Sequence, residues 1–318
     1  MMEPIDARAA GGVGLGGPIR RGVAALLLFG ALFAGAGAAL GSSGKLHYPF
    51  SFTMLTEPDR SEPESDGQKR YACGSPVRPM TDMSRLFGFY RPDSTRSVVD
   101  PETMGQYIKR IWPTIAVTRK LTGMIEAMIE DPRRRPEISR CVLRQVRAWA
   151  DAGALLGKLE DNDPMGHRQA ILIAIWTGAG VANGYASASP IDAEDQAAIA
   201  SWFSRLIDEI IAEFTPPAQS RPKDYAWLDV NGNHRYWAAA AVALLAIHVG
   251  DRPRFAWAID VLRSGLANAG DDGGLPLELA RGRRALHYQS FALEALALLV
   301  KAADANGIVL DAGEEARL

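Results

Sequence analysis

From Pro101 onward apolar residues recur at helical spacing, interrupted by short Pro, Gly and Asp breaks, and this predicts helices over 101–131, 136–158, 164–186, 191–214, 234–249, 252–269 and 285–306. No segment shows the β-branched alternation that a strand needs, so the body reads as all-α. The predicted helices are of two kinds. Stretches 168–182 and 238–249 are almost wholly apolar or small and must be covered on most sides, whereas 191–214 and 252–269 carry a charged face beside Trp202, Phe203, Phe255 and Trp257. Inner helices alternating with outer ones suggest hairpins set around an axis, although a stacked bundle would give a similar pattern. No repeat of fixed length is visible, which disfavours a solenoid.

Upstream of Pro101 the pattern changes. Residues 42–100 are rich in Pro, Ser, Asp and Glu without periodicity, as in Thr56-Glu-Pro-Asp-Arg-Ser-Glu-Pro-Glu-Ser-Asp66, and read as an irregular, mobile arm. Residues 1–41 read as an export leader: Arg20 and Arg21 precede an uncharged stretch from Gly22 to Leu40 that ends in small residues. Its Gly and Ala content makes it weakly apolar, which favours cleavage over a retained anchor, so a periplasmic location without a stable membrane span is expected.

Charge and composition narrow the function only by exclusion. A formal charge of -2 and a pI near 6.2 give no global basic field, so nucleic acid is not an expected partner, and an acidic substrate would have to be met by a local group of Arg and Lys. The two cysteines, Cys73 and Cys141, have no nearby His pair, which argues against zinc. A bridge between them would close a 68-residue loop and contribute about 4 kcal/mol by loop entropy; two unrelated buried thiols are the alternative.

Two segments concentrate chemistry. Asn231-Gly-Asn-His-Arg-Tyr-Trp237 opens the apolar helix 234–249. Asn233 suits an N-cap, and His234 in the first turn is kept neutral by the positive helix end. The second, Asp271-Asp-Gly-Gly-Leu-Pro-Leu-Glu-Leu-Ala-Arg-Gly-Arg-Arg-Ala-Leu-His-Tyr288, is a loop feeding the last long helix. If Arg281 and Tyr288 share that helix, their separation of seven places them on one face; alternatively Arg281 pairs with Glu278 and Tyr288 is a core aromatic.

Taken together, Asn-His-x-Tyr-Trp and Leu-Pro-x-Glu-x-Ala-Arg-Gly-x-Arg-Ala-Leu-His-Tyr resemble the mannuronate-specific alginate lyases, the periplasmic poly(β-D-mannuronate) lyase family. The 54-residue spacing from His234 to Tyr288 is similar to that family's. Phe89-Tyr90 with Ser97-Val-Val-Asp-Pro101 resembles its lid, and Cys141-Val-Leu-Arg-Gln-Val-Arg-Ala-Trp-Ala-Asp-Ala-Gly-Ala-Leu-Leu156 resembles a cysteine-bearing helix. The resemblance implies an α/α toroid, with Asn233 and Arg281 neutralising a uronate carboxylate, His234 beside them and Tyr288 as the catalytic tyrosine. It also implies a Cys73–Cys141 disulfide, an anionic polysaccharide as partner, and substrate contacts from Tyr90, Arg91, Arg96, Arg235, Tyr236, Trp237 and Arg284. β-Elimination by these groups calls for no metal or organic cofactor.

Two departures stand out. Family lids carry a lysine in the run where this chain has Arg91-Pro-Asp-Ser-Thr-Arg96, leaving Arg91 or Arg96 to substitute. The chain also ends 30 residues past Tyr288, where members continue through further helices, so an incomplete barrel is expected. A lyase for another uronic acid polymer and a non-catalytic polysaccharide-binding or export factor are the competing expectations. A glycoside hydrolase would want two carboxylates flanking the bond, for which the Asp271, Asp272 and Glu278 loop gives no clear pair.

Overall fold

Aspartate caps start most of the long helices. In the computed structural model, which describes residues 44–50, 71–91, 97–215 and 231–317, four of the long helices open with an Asp carboxylate accepting a first-turn backbone N–H. These are α1 (Pro101–Glu130), α3 (Pro164–Ser187), α4 (Ala193–Phe214) and α6 (Arg252–Ala267), capped by Asp100, Asp163, Asp192 and Asp251. Pro at the first or second helical position pre-sets the turn in α1, α3 and α6. The remaining helices are α2 (Arg135–Asp151), α5 (Asn233–Val249), the short α7 (Pro276–Leu279), α8 (Ala285–Ala305) and a terminal turn, α9 (Ala312–Glu315). Among the described residues there is no strand, only an isolated antiparallel bridge between Tyr90 and Val99.

The helices form two layers. An inner row packs in the order α1, α3, α5, α8; α2 lies against α1 and α3, α4 against α3 and α5, and α6 against α5 and α8. The central α5 is surrounded by α3, α4, α6 and α8, which explains its composition: from Ala238 to Ala246 no residue is more than 1% exposed. A helix enclosed on all sides has no use for a polar face. Close approach of the inner helices depends on small residues in α3. A Cβ on Gly180 would lie 2.9 Å from the Thr118 side chain, and one on Gly184 would lie 3.1 Å from Leu121. By length and composition α3 could cross a membrane, but most of that window is buried inside the protein, as for a core helix.

The second helix departs from its expected length. It stops at Asp151 rather than continuing to 158, because Gly153, Leu155 and Lys158 adopt left-handed backbone. The resulting loop receives the arm: Leu155 N–H donates to Met80 O at 2.8 Å and Met83 N–H to Gly157 O at 2.9 Å. The indole N–H of Trp149 donates to Val77 O and that of Trp202 to Ala154 O, so two buried aromatics satisfy carbonyls that the loop and arm would otherwise strand. A Cβ at Gly157 would meet the backbone oxygen of Thr81 at 2.2 Å. Gly157→Ala is therefore expected to destabilise the fold by about 1–3 kcal/mol, read as a lower thermal midpoint, since no rotamer change relieves a backbone clash.

The described part of the arm is thus docked, contrary to the expectation of a mobile segment. Cys73 and Cys141 form a disulfide that ties it to α2, with Cα atoms 5.3 Å apart. Val77 N–H donates to Gln145, Arg144 to Gly74 O, and Lys120 to Ser75 O. Further along, Asp82 pairs with Arg110 and Lys158, and Leu86 N–H donates to Asn162. This chain of contacts leads directly to residues 89–91, which pair with 98–100: Arg91 N–H bonds Val98 O and Asp100 N–H bonds Phe89 O.

Candidate active site

Helix α8 fixes the loop before it. Gln289 accepts from Leu275 N–H and donates to Gly273 O, both at 2.9 Å, which sets the position of α7 and its buried Glu278. Glu278 then reaches the start of α5. Its carboxylate accepts the Asn233 backbone N–H and the Asn233 side-chain Nδ2–H, each at 2.7 Å. The first of these bonds supplies what a local cap would: Gly232 occupies the cap position, and Asn233 is the first helical residue rather than the N-cap expected.

Arg281 and Tyr288 do meet, though not by sharing a helical face. Gly282 takes a positive φ of 56° and breaks the chain between α7 and α8, folding Arg281 back over the ring it precedes. Its guanidinium carbon lies 3.7 Å from the centre of the Tyr288 ring, and Glu278, the alternative partner for Arg281, holds Asn233. The Tyr288 hydroxyl donates to the Tyr90 hydroxyl at 2.7 Å, and Arg281 and Arg284 lie 5.8 and 5.7 Å from the Tyr90 ring. Arg283 and Arg284 donate to the Ser97 carbonyl, so the residues just before α1 are fastened to the start of α8. The two ends of the inner row are bridged by the segment that carries Tyr90.

Electrostatics distinguishes the two ring groups. Burial, with the charges of Arg168 and Arg281 adding, pushes the His234 imidazole down to about 3, so the ring is neutral. Burial pushes the Tyr288 phenol up and the Tyr90 hydroxyl adds to this, while Arg281 pulls the other way. The phenol is thus a protonated acid in the resting site, and Arg281 is the group that eases its ionisation.

Arg168 was not legible as a site residue, although one signal existed: a lone charge heading a stretch expected to be buried. It is 1% exposed, pairs with Glu213 at 2.5 Å and lies 4.5 Å above the Phe214 ring. Glu278 is the other such residue: the sequence offers it as a partner for Arg281 or as a carboxylate of the Asp271–Asp272 loop, not as the group that holds Asn233. The remaining expected residues are scattered. Arg91 is exposed and faces Asp100 at 3.7 Å, and Arg235 bonds Asn231 of its own turn. Trp237 is buried, packs at a tilt against the Phe291 ring and donates to the Phe291 carbonyl. Tyr236 is a core residue, its ring in contact range of the position a Cβ on Gly265 of α6 would take. Arg96 lies outside the described residues.

A second buried imidazole behaves like His234. His248, stacked on Tyr48 and bonded to Ala182 O, is pushed down to about 4 by burial. Unfolding frees both rings to take up protons near their ordinary value of 6.5. Their contribution to stability is complete above that value and is lost as pH falls from it towards 3 to 4. The thermal midpoint is expected to drop on acidification from about pH 7 to about pH 5, and His248→Gln is expected to flatten that dependence.

With this geometry in hand, the relatives are informative. The sequence signature of the alginate lyase family matches residues 89–318. The chain belongs to the alginate lyase family. An alginate lyase from Cobetia marina is 27% identical over 296 residues, covering 91% of this chain and 72% of the relative. One from Pseudomonas fluorescens Pf-5 is 32% identical over 183 residues, 55% of this chain and 45% of its own length. A polysaccharide lyase from Stenotrophomonas maltophilia is 28% identical and covered over 66% of its length. Among solved structures, alginate lyase A1-III complexed with a tetrasaccharide superposes with a TM-score of 0.62 at 20% identity, covering 82% of this chain and 69% of that one. The enzyme of that name from Sphingomonas species A1 superposes at 0.58 and 19% identity, over 76% and 63% of the two chains. The fold of this alginate lyase family member is accordingly the all-helical α/α toroid, its inner and outer rows being the two layers described above.

Proposed function

We propose that this member cleaves alginate by β-elimination, acting on poly-β-D-mannuronate to give 4,5-unsaturated uronates. The observation that carries the reading is the Arg281 guanidinium seated on the Tyr288 ring, its charge also acting on a neutral His234. The C5 proton of a uronate is weakly acidic, and its removal sends charge onto the adjacent carboxylate. Donors from Arg281, Asn233 and His234 would stabilise that charge as an oxyanion hole does. In mannuronate the C5 proton and the C4 oxygen lie on one side of the ring, so a single phenol can accept the first and protonate the second. Tyr288 is given both roles, with Arg281 lowering the cost of its ionisation. A ring with a pKa near 3 is a weak base, which favours His234 as hydrogen-bond partner of the carboxylate over His234 as base.

Tyr90, Arg284, Arg91 and Arg96 are proposed to bind neighbouring sugars, as is Arg235, while Tyr236 and Trp237 support the helix that presents His234. The leader read in residues 1–41 would place the protein in the periplasm, where such a polymer is met. The test is the near-ultraviolet absorbance of unsaturated uronate during incubation with polymannuronate, polyguluronate and pectin. A rise with polymannuronate above the other two supports the reading; a rise with another polymer alone reassigns the substrate, and none with any of them refutes lyase activity.

A further inference from the structure

The start of α5 is satisfied differently from those of α1, α3, α4 and α6. Those four use an Asp directly before the helix, whereas α5 has Gly232 at that position and borrows a carboxylate from 45 residues away. Glu278 is 2% exposed, and burying an ionised carboxylate costs several kcal/mol before its hydrogen bonds are counted. A local Asp would cap the helix without that cost. What the distant carboxylate adds is its second oxygen, which holds the Asn233 Nδ2 at 2.7 Å. The two ends of an amide are nearly equal in size, so only such a bond decides which end faces which way. With Nδ2 committed to Glu278, one amide N–H remains, together with Oδ1, which is buried and has no hydrogen-bond partner among the described residues. A buried acceptor without a protein partner calls for a donor from outside the chain, a water or a ligand group.

We propose that Glu278 is a positioning residue that locks the Asn233 amide, turning its remaining N–H towards the uronate carboxylate and its Oδ1 towards a sugar hydroxyl of the bound polymer. The proposal rests on the lyase reading of the site and adds the group that orients it. Because Glu278 is acceptor-only when ionised, Glu278→Gln places a donor against one of the two Asn233 donors and releases the lock.

The test is a double-mutant cycle of initial rates on polymannuronate with wild type, Glu278→Gln, Asn233→Ala and the double variant. Glu278→Gln is expected to lower kcat by about 10-fold or more with KM within about 2-fold, and to cost less than about 2-fold in the Asn233→Ala background. Equal losses in both backgrounds would overturn the proposal, since Glu278 would then act through the helix end alone, and so would an unchanged kcat. Glu278→Asp, which keeps the charge at the helix end but is too short to span both donors, covers the case in which the Gln variant does not fold. It is expected to lose kcat while keeping its thermal midpoint. If wild type turns over no polyuronate, the lyase reading fails by itself, and the same cycle is read on the affinity for mannuronate tetrasaccharide; there an additive cycle overturns the proposal and coupling between the two residues upholds it.

Discussion

Tyr288→Phe is expected to cut turnover on polymannuronate by about 10³-fold or more while leaving helical content intact. The substitution removes one atom from a ring whose packing is otherwise kept: the Arg281 guanidinium still has an aromatic face 3.7 Å away to rest on. What disappears is the hydroxyl that donates to Tyr90 at 2.7 Å, worth about 1 kcal/mol of stability as a net hydrogen bond. A rate loss so much larger than the stability loss separates a chemical role from a packing role. Initial rates and a melting curve on the same preparation check both. Near-normal turnover would remove the phenol from the mechanism.

The second large effect is expected at Arg281. Arg281→Ala is predicted to lower kcat/KM by about 10²- to 10³-fold, because it removes a charge that serves the substrate carboxylate and also opposes the burial that holds the Tyr288 phenol protonated. Without it the phenol ionises less readily, so the residual activity is expected to rise more steeply towards alkaline pH than that of wild type. Arg281→Lys is expected to recover little, since a compact ammonium neither stacks flat on the ring nor offers paired donors. Rates measured across pH for the three proteins decide the matter; full recovery by Lys would reduce Arg281 to a bulk positive charge.

Much of this architecture was readable from residue pattern because the inner helices are enclosed. Positions 238–246 are apolar on every face since α3, α4, α6 and α8 surround them, and such a run admits few alternatives. The convergence of the Asn233-His234 turn with the Arg281–Tyr288 segment was likewise legible, from residue types rather than from geometry. The reasons assigned to it were partly mistaken. Asn233 needs no capping role, since the buried Glu278 covers the helix end, and Arg281 reaches Tyr288 through the break at Gly282. The first depends on α7 and α5 meeting across 45 residues and the second on a left-handed glycine within the α7–α8 connection, and periodicity encodes neither. The docking of the arm's described residues is hidden from the sequence for a similar reason. The arm's polar, Pro-rich composition describes what it lacks, whereas Val77 and Leu86 are held by Gln145, Trp149 and Asn162 on other elements.

The most direct examination of the central claim is proton NMR of the products formed when the purified wild-type protein is mixed with polymannuronate. The mechanism predicts an olefinic signal from the new non-reducing end, growing in step with chain cleavage and absent when Tyr288→Phe replaces wild type. Chain cleavage that yields only saturated ends, or an olefinic signal of equal size from the Tyr288→Phe protein, would contradict it.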